Sequence, residues 1–80
     1  MSDKKTDKAE EMMEELKAML LETLWGDKQY NYNNQKMVIP WLHEDYSYAI
    51  QRLSLSPKQE AFYFDKIERI IGEYAEFYDF

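Results

Sequence analysis

The feature that most constrains the fold is the last third of the chain, from Ser56 to Phe80, which has the pattern of one long amphipathic helix. Ser56 has the position of an N-cap hydroxyl and Gln59 that of a reciprocal amide, and these two groups accept from the free N–H groups of a helix start. Pro57 falls at the first helical position, where it has no N–H that needs a partner. At about 100° per residue, one broad face is then apolar and the opposite face is charged. The apolar face consists of Tyr63, Ile67, Ile70, Ile71, Tyr74, Phe77 and Tyr78. The rest of the chain must therefore cover this face.

Two further helices are predicted upstream. The first begins near Asp7, because Asp7 and Glu10 have the spacing of an N-cap and its partner, and it ends at Trp25 before Gly26. The second begins at Pro40, since proline is tolerated at the first helical position. The apolar stripe of the first helix consists of Ala9, Met12, Met13, Leu16, Met19, Leu20, Thr23 and Leu24. The apolar stripe of the second helix consists of Leu42, Tyr46, Ala49, Ile50 and Leu53. Trp41 and Tyr48 lie to one side of this second stripe.

The segment between these helices, residues 27–39, allows two interpretations. Asn33 and Asn34 tolerate the positive φ of a two-residue turn, so residues 29–39 fit a short β-hairpin. An isolated hairpin is only marginally stable, which favours an irregular loop instead. A loop of this length between helices is often functional, so Tyr30–Gln35 is a second candidate binding surface.

These patterns predict an all-α fold, a small three-helix bundle that forms a single acidic domain over residues 1–80. The helices are expected near residues 8–25, 41–54 and 57–78, with residues 1–6 frayed and the short β-hairpin as an optional element between the first two helices. The predicted shared core consists of Leu16, Leu20, Ile50, Leu53, Ile67, Ile71 and Tyr74.

The sequence offers few groups for catalysis or for metal binding. The chain has no cysteine, which excludes disulfides, thiolate metal sites and cysteine nucleophiles. His43 is the only histidine, and its neighbours Glu44 and Asp45 point in other directions on a helix, so the three side chains do not converge on one ion. Gly26 and Gly72 lie too far apart for a phosphate-binding loop. We therefore expect no enzyme activity, no catalytic residues, no metal and no cofactor.

The charge of the chain restricts its partners. The formal net charge is −6, and the acidic excess lies at the two ends of the sequence. Such a chain is repelled by nucleic acids and by anionic membranes, whereas a protein with a basic surface is attracted. The lack of cysteine and the charged first residues, without an apolar signal region, favour a cytoplasmic protein.

The C-terminal segment departs from what helix stability alone would favour. Acidic side chains at a helix C-terminus oppose the helix dipole, and two aromatic residues, Phe62 and Phe80, fall on the charged side of the helix. Aromatic anchors flanked by charge are typical of protein interfaces. The predicted partner-binding residues are Phe62, Glu73, Glu76, Phe77, Asp79 and Phe80.

Three function classes fit this pattern. The first is a small regulator or inhibitor that docks this acidic, aromatic surface on a basic partner protein. The second is a nucleic-acid mimic that occupies the phosphate-binding groove of a DNA- or RNA-binding enzyme. The third is a structural subunit that forms homo-oligomers through the first helix or through the exposed aromatic residues.

The acidic charge of the chain predicts that the protein does not bind duplex DNA at physiological salt, since the sequence has no cluster of Lys and Arg large enough to displace counterions. The measurement is an electrophoretic mobility shift with a labelled duplex across a salt series. Saturable binding that weakens steeply with salt would contradict the argument.

Overall fold

The structure, a computed structural model, describes residues 4–25 and 32–75 of the chain. Over these residues it contains three α-helices and no β-strand: α1 (Lys4–Trp25), α2 (Tyr32–Arg52) and α3 (Pro57–Tyr74). Each helix packs against the other two. The prediction of an all-α fold of three helices is thus confirmed.

The helices run up, down and up. The side chain of Lys5, near the start of α1, reaches the carbonyl of Ser54 at the end of α2, with Nζ and O 3.5 Å apart. Glu10 of α1 contacts Tyr63 and Lys66 in the first half of α3. Hence α1 and α3 are parallel, and α2 is antiparallel to both.

The core lies along the common axis of the three helices. Of the predicted core residues, Leu16, Leu20, Ile50, Ile67 and Ile71 are fully buried, whereas Leu53 and Tyr74 are only partly buried and pack at its edge. The remaining buried apolar residues are Ala9, Met13, Ile39, Leu42, Tyr63, Ile70 and Ala75. Burial of each large side chain contributes roughly 1.5–3 kcal/mol, which makes this cluster the main source of stability.

The start of α2 differs from the prediction. Residues 32–39 are helical, so the hairpin and the loop are both wrong for this part of the segment, and Pro40 lies inside α2 rather than at its start. Residues 26–31, which include Gly26 and the first part of the Tyr30–Gln35 surface, lie outside the described residues. Proline in a helix removes one hydrogen bond and costs about 3 kcal/mol. Burial of Ile39 and Leu42 on either side of Pro40 offsets this cost.

The other helix ends also differ in part. Helix α1 begins at Lys4, so residues 4–6 are helical rather than frayed, because no proline or glycine interrupts the pattern before Asp7. Helix α3 ends at Tyr74 and not near residue 78: Ala75 leaves the helical conformation, and its N–H donates to the carbonyl of Ile71 at 2.8 Å. The last turn of α3 has no basic residue to oppose the helix dipole, which favours an early end.

The connection between α2 and α3 is set by two serines. The predicted capping box is confirmed: the hydroxyl of Ser56 accepts from the backbone N–H of Gln59, and the Gln59 side chain accepts from the N–H of Ser56, both at 3.3 Å. Ser54 has a φ of 56°, the left-handed conformation that ends many helices and that favours glycine. A side chain with a Cβ is strained in this conformation.

We therefore expect Ser54→Gly to stabilise the protein. The left-handed conformation costs a residue with a Cβ about 1–2 kcal/mol, and glycine removes this cost. Glycine also loses more conformational freedom on folding, which costs about 0.5–1 kcal/mol, so the net gain in stability is roughly 0.5–1 kcal/mol. The measurement is the free energy of unfolding in urea. The control is Ser47→Gly, the same replacement at a helical position of α2, which should destabilise by about 0.5 kcal/mol. Equal effects of the two changes would contradict the role of φ at Ser54.

Candidate functional site

Two of the predicted partner-binding residues lie in the described part of the chain, and the fold brings them together. Phe62 and Glu73 both line a shallow groove of about 280 Å³ between α1 and α3. The Phe62 side chain is 56% exposed, so it is available to a partner. Glu76, Phe77, Asp79 and Phe80 lie outside the described residues, and their part of the predicted site stays a prediction.

The charge of this groove is mixed. Lys17, Lys66 and Arg69 line it together with two acids, Asp65 and Glu73. Arg69 forms an ion pair with Asp65 at 2.9 Å, one turn away on the same helix. The Lys66 ammonium lies 5.7 Å from the centre of the Phe62 ring, close enough for a cation–π interaction. Around Phe62 the surface is thus less acidic than the helical wheel of the sequence indicates, because α1 contributes Lys17 and because Lys66 turns toward the ring.

Beside this groove, a polar cluster of Glu10, Tyr63 and Lys66, which we call the Glu10 cluster, joins α1 to α3. The Glu10 carboxylate accepts a hydrogen bond from the Tyr63 hydroxyl at 2.8 Å and one from the Lys66 ammonium at 2.9 Å. The hydrogen bonds from Lys66 and then Tyr63 lower the pKa of Glu10. Burial, followed by the hydrogen bond to Glu10, raises the pKa of Tyr63 to about 12. The sequence pattern assigned Glu10 to the helix start and Tyr63 to the apolar face, and only the packing of α1 on α3 joins them.

A second exposed surface lies on α2, at residues that the sequence did not indicate as a binding site. Met37, Trp41 and Tyr48 are 57%, 59% and 60% exposed. Their spacing of four and then seven residues places them within an arc of about 40° on the helix. We call these three residues the α2 stripe. The sequence contains this spacing, but the spacing indicates a stripe of three residues only if the helix extends upstream of Pro40 to include Met37.

Acidic side chains flank the α2 stripe. Glu44 lies between Trp41 and Tyr48 on the same side of the helix, and Asp45 lies on the side that faces α1. Both are exposed. At the far end, the guanidinium of Arg52 lies 5.8 Å from the centre of the Tyr48 ring. The α2 stripe is therefore an apolar, mainly aromatic surface with Glu44 and Asp45 beside it and Arg52 at its end.

The described residues offer no assembled metal site. His43 lies on the α3 side of α2, where its Nε2 is 3.8 Å from the Glu68 carboxylate. No group of three or more His, Asp or Glu side chains is placed to hold a metal ion in the described residues. Over the same residues, no helix has the length and apolar character needed to cross a membrane.

The Glu10 cluster predicts a pH-dependent contribution to stability. A carboxyl group with a lowered pKa stabilises the folded state above its unfolded pKa, and this contribution is lost as the pH falls through the lower, folded value. Glu10→Gln should therefore destabilise the protein at pH 7 by about 0.5–1 kcal/mol, a small figure because the carboxylate is 49% exposed and screened by solvent.

The difference between parent and Glu10→Gln, measured by urea unfolding, should shrink as the pH falls below about 4.5, the ordinary value of a Glu carboxyl. The matched control is Glu11→Gln, which removes the same charge from a carboxylate that is 70% exposed and lies 3.7 Å from Lys8 one turn away. A Glu11→Gln variant that loses as much stability would show that net charge, and not the cluster, is responsible.

No known family model matches the chain, and no curated protein or solved structure matches it either.

Proposed function

We propose that this protein is a small acidic interaction module that binds a partner protein with a basic surface and acts as its regulator or inhibitor. The role is binding and not catalysis, and the lack of cysteine favours a cytoplasmic setting. The observation that carries the proposal is the α2 stripe, in which three large apolar side chains, each more than half exposed, share one helix face. Single exposed apolar residues are common, but several large ones on one helix face of a small protein typically mark a contact.

Charge supports a basic partner. With a net charge of −6, the protein attracts a basic surface at long range, and the acids beside the α2 stripe continue this attraction at the contact. In such an interface the aromatic side chains are the desolvated anchors, and Trp and Tyr are the residue types most often found in this role. The C-terminal surface predicted from the sequence, with Phe62 and Glu73 at its described end, is a second proposed contact of the same module.

The test is affinity capture from the native host with the tagged protein, followed by surface plasmon resonance with the captured partner. Trp41→Ala should speed dissociation about tenfold or more, because it removes an anchor. The matched control is Trp25→Ala, which removes the same side chain from the end of α1, where it is 74% exposed. Circular dichroism establishes that each variant is folded.

The same experiment includes Phe62→Ala, which separates the two proposed contacts. Rapid dissociation with Phe62→Ala and not with Trp41→Ala assigns the binding to the α3 surface. If a basic partner binds the parent and all three variants alike, neither surface is the contact and the proposal is wrong. A dimer that persists at high salt and is lost with Trp41→Ala would instead indicate a homo-oligomer, since apolar association is insensitive to ionic strength.

A further inference from the structure

Next to the α2 stripe, the surface between α1 and α2 forms an elongated groove. Two adjoining depressions, of about 330 Å³ and 390 Å³, share Met12, Asp45 and Ala49 and thus form one continuous groove. Its floor also contains Met19 of α1 and Leu42 of α2. Because α1 and α2 are antiparallel, the floor follows both helices for two to three turns, roughly 10–16 Å.

The floor of the groove is apolar and adaptable. Met12 is partly buried and packs against the core, whereas Met19 is 44% exposed, so the thioether side chains are within reach of a ligand. Methionine side chains are flexible and polarizable, and they recur at surfaces that bind helical peptides. The shape fits this occupant, since a furrow between two packed helices accepts the apolar side chains of a third helix at positions i, i+3 or i+4, and i+7.

The charges of the groove favour a basic ligand. Glu15 of α1 and Asp45 of α2 line opposite sides, and neither forms an ion pair in the described part of the chain. Both carboxylates act on the same phenol: burial raises the pKa of Tyr46, and the negative charges of Glu15 and Asp45 raise it further. Arg52 lies at the far end of the groove, against the Tyr48 ring.

A second copy of this chain is disfavoured as the occupant. In a twofold dimer through this groove, the same surface faces itself, so the carboxylates of Glu15 and Asp45 would approach those of the partner copy. Like charges placed opposite each other at an interface oppose association. The net charge of −6 adds repulsion at long range.

We propose that the α1/α2 groove binds one amphipathic, basic helix of a partner protein. The apolar side chains of that helix pack on Met12, Met19 and Leu42, and its Lys or Arg side chains approach Glu15 and Asp45. This inference rests on the proposed function, and it adds the structure of the ligand and the site that holds it.

The test uses two synthetic peptides of about 18 residues, roughly 27 Å long as helices. Both carry leucine at the same helical spacing, and the other positions are lysine in one peptide and glutamate in the other. Each is titrated into the isotope-labelled protein, and backbone amide shifts are followed by NMR. We expect the Leu/Lys peptide to bind and to shift the signals of Met12, Met19, Leu42 and Ala49, while the Leu/Glu peptide does not bind.

Two double variants with the same change in net charge sharpen the test. Glu15→Gln with Asp45→Asn should weaken binding of the Leu/Lys peptide about tenfold or more. Glu14→Gln with Glu68→Gln removes two exposed acids that do not line the α1/α2 groove and should change the affinity less than twofold. Equal weakening by the two pairs would show that the peptide responds to net charge alone, and the proposed site would then be wrong.

The remaining outcomes separate this inference from the proposed function. Shifts confined to the Phe62 groove would overturn the α1/α2 site and leave the interaction module intact. If the peptide does not bind but a captured basic partner depends on Trp41, the helical ligand is wrong and the module stands. Light scattering tests for a second copy in the groove. If the parent protein is a dimer and the single change Met19→Lys abolishes the dimer, the occupant is a second copy and the basic ligand is wrong.

Discussion

The fold depends on the burial of the isoleucine stripe of α3 between α1 and α2. Ile67 and Ile71 are fully buried, and the leucines of α1 and the isoleucines of α2 close around them. A chain of 80 residues without cysteine has neither a disulfide nor a large interior to stabilise it. Each of these side chains therefore contributes a large share of the free energy of unfolding, which is only about 5–15 kcal/mol for a typical domain.

The polar contacts have a different role, which is to fix how the helices are placed. The capping box at Ser56 sets where α3 begins, and the left-handed Ser54 sets the direction of the chain as it leaves α2. The Glu10 cluster ties α1 to α3 across the bundle. A hydrogen bond has strict distance and angle requirements, so these groups restrict how the helices are placed relative to one another.

Once the core is formed, the bundle leaves two different surfaces for a partner. The groove beside Phe62 has mixed charge, because lysines of α1 and α3 meet there. The surface made of the α2 stripe and the α1/α2 groove combines exposed aromatic and methionine side chains with unpaired carboxylates. The second surface matches the overall charge of the protein, which is why both proposals place the basic partner there.

The sequence by itself determined the elements that depend on local chemistry. The cap at Ser56, the apolar periodicity of the three helices and most of the core follow from side chains close to one another in the chain. It also determined the net charge, from which the proposal of a basic partner starts.

Only the tertiary structure decided the features in which distant contacts outweigh local preference. Pro40 predicts a helix start, but burial of Ile39 and Leu42 on the bundle keeps the helix continuous through it. The exposure of Met37, Trp41 and Tyr48 depends on which face of α2 the core takes. Two pairs of residues meet only because of how the helices pack. Lys66 donates a hydrogen bond to Glu10, and Glu15 and Asp45 line the same groove. Apolar burial elsewhere in the molecule brings the members of each pair together.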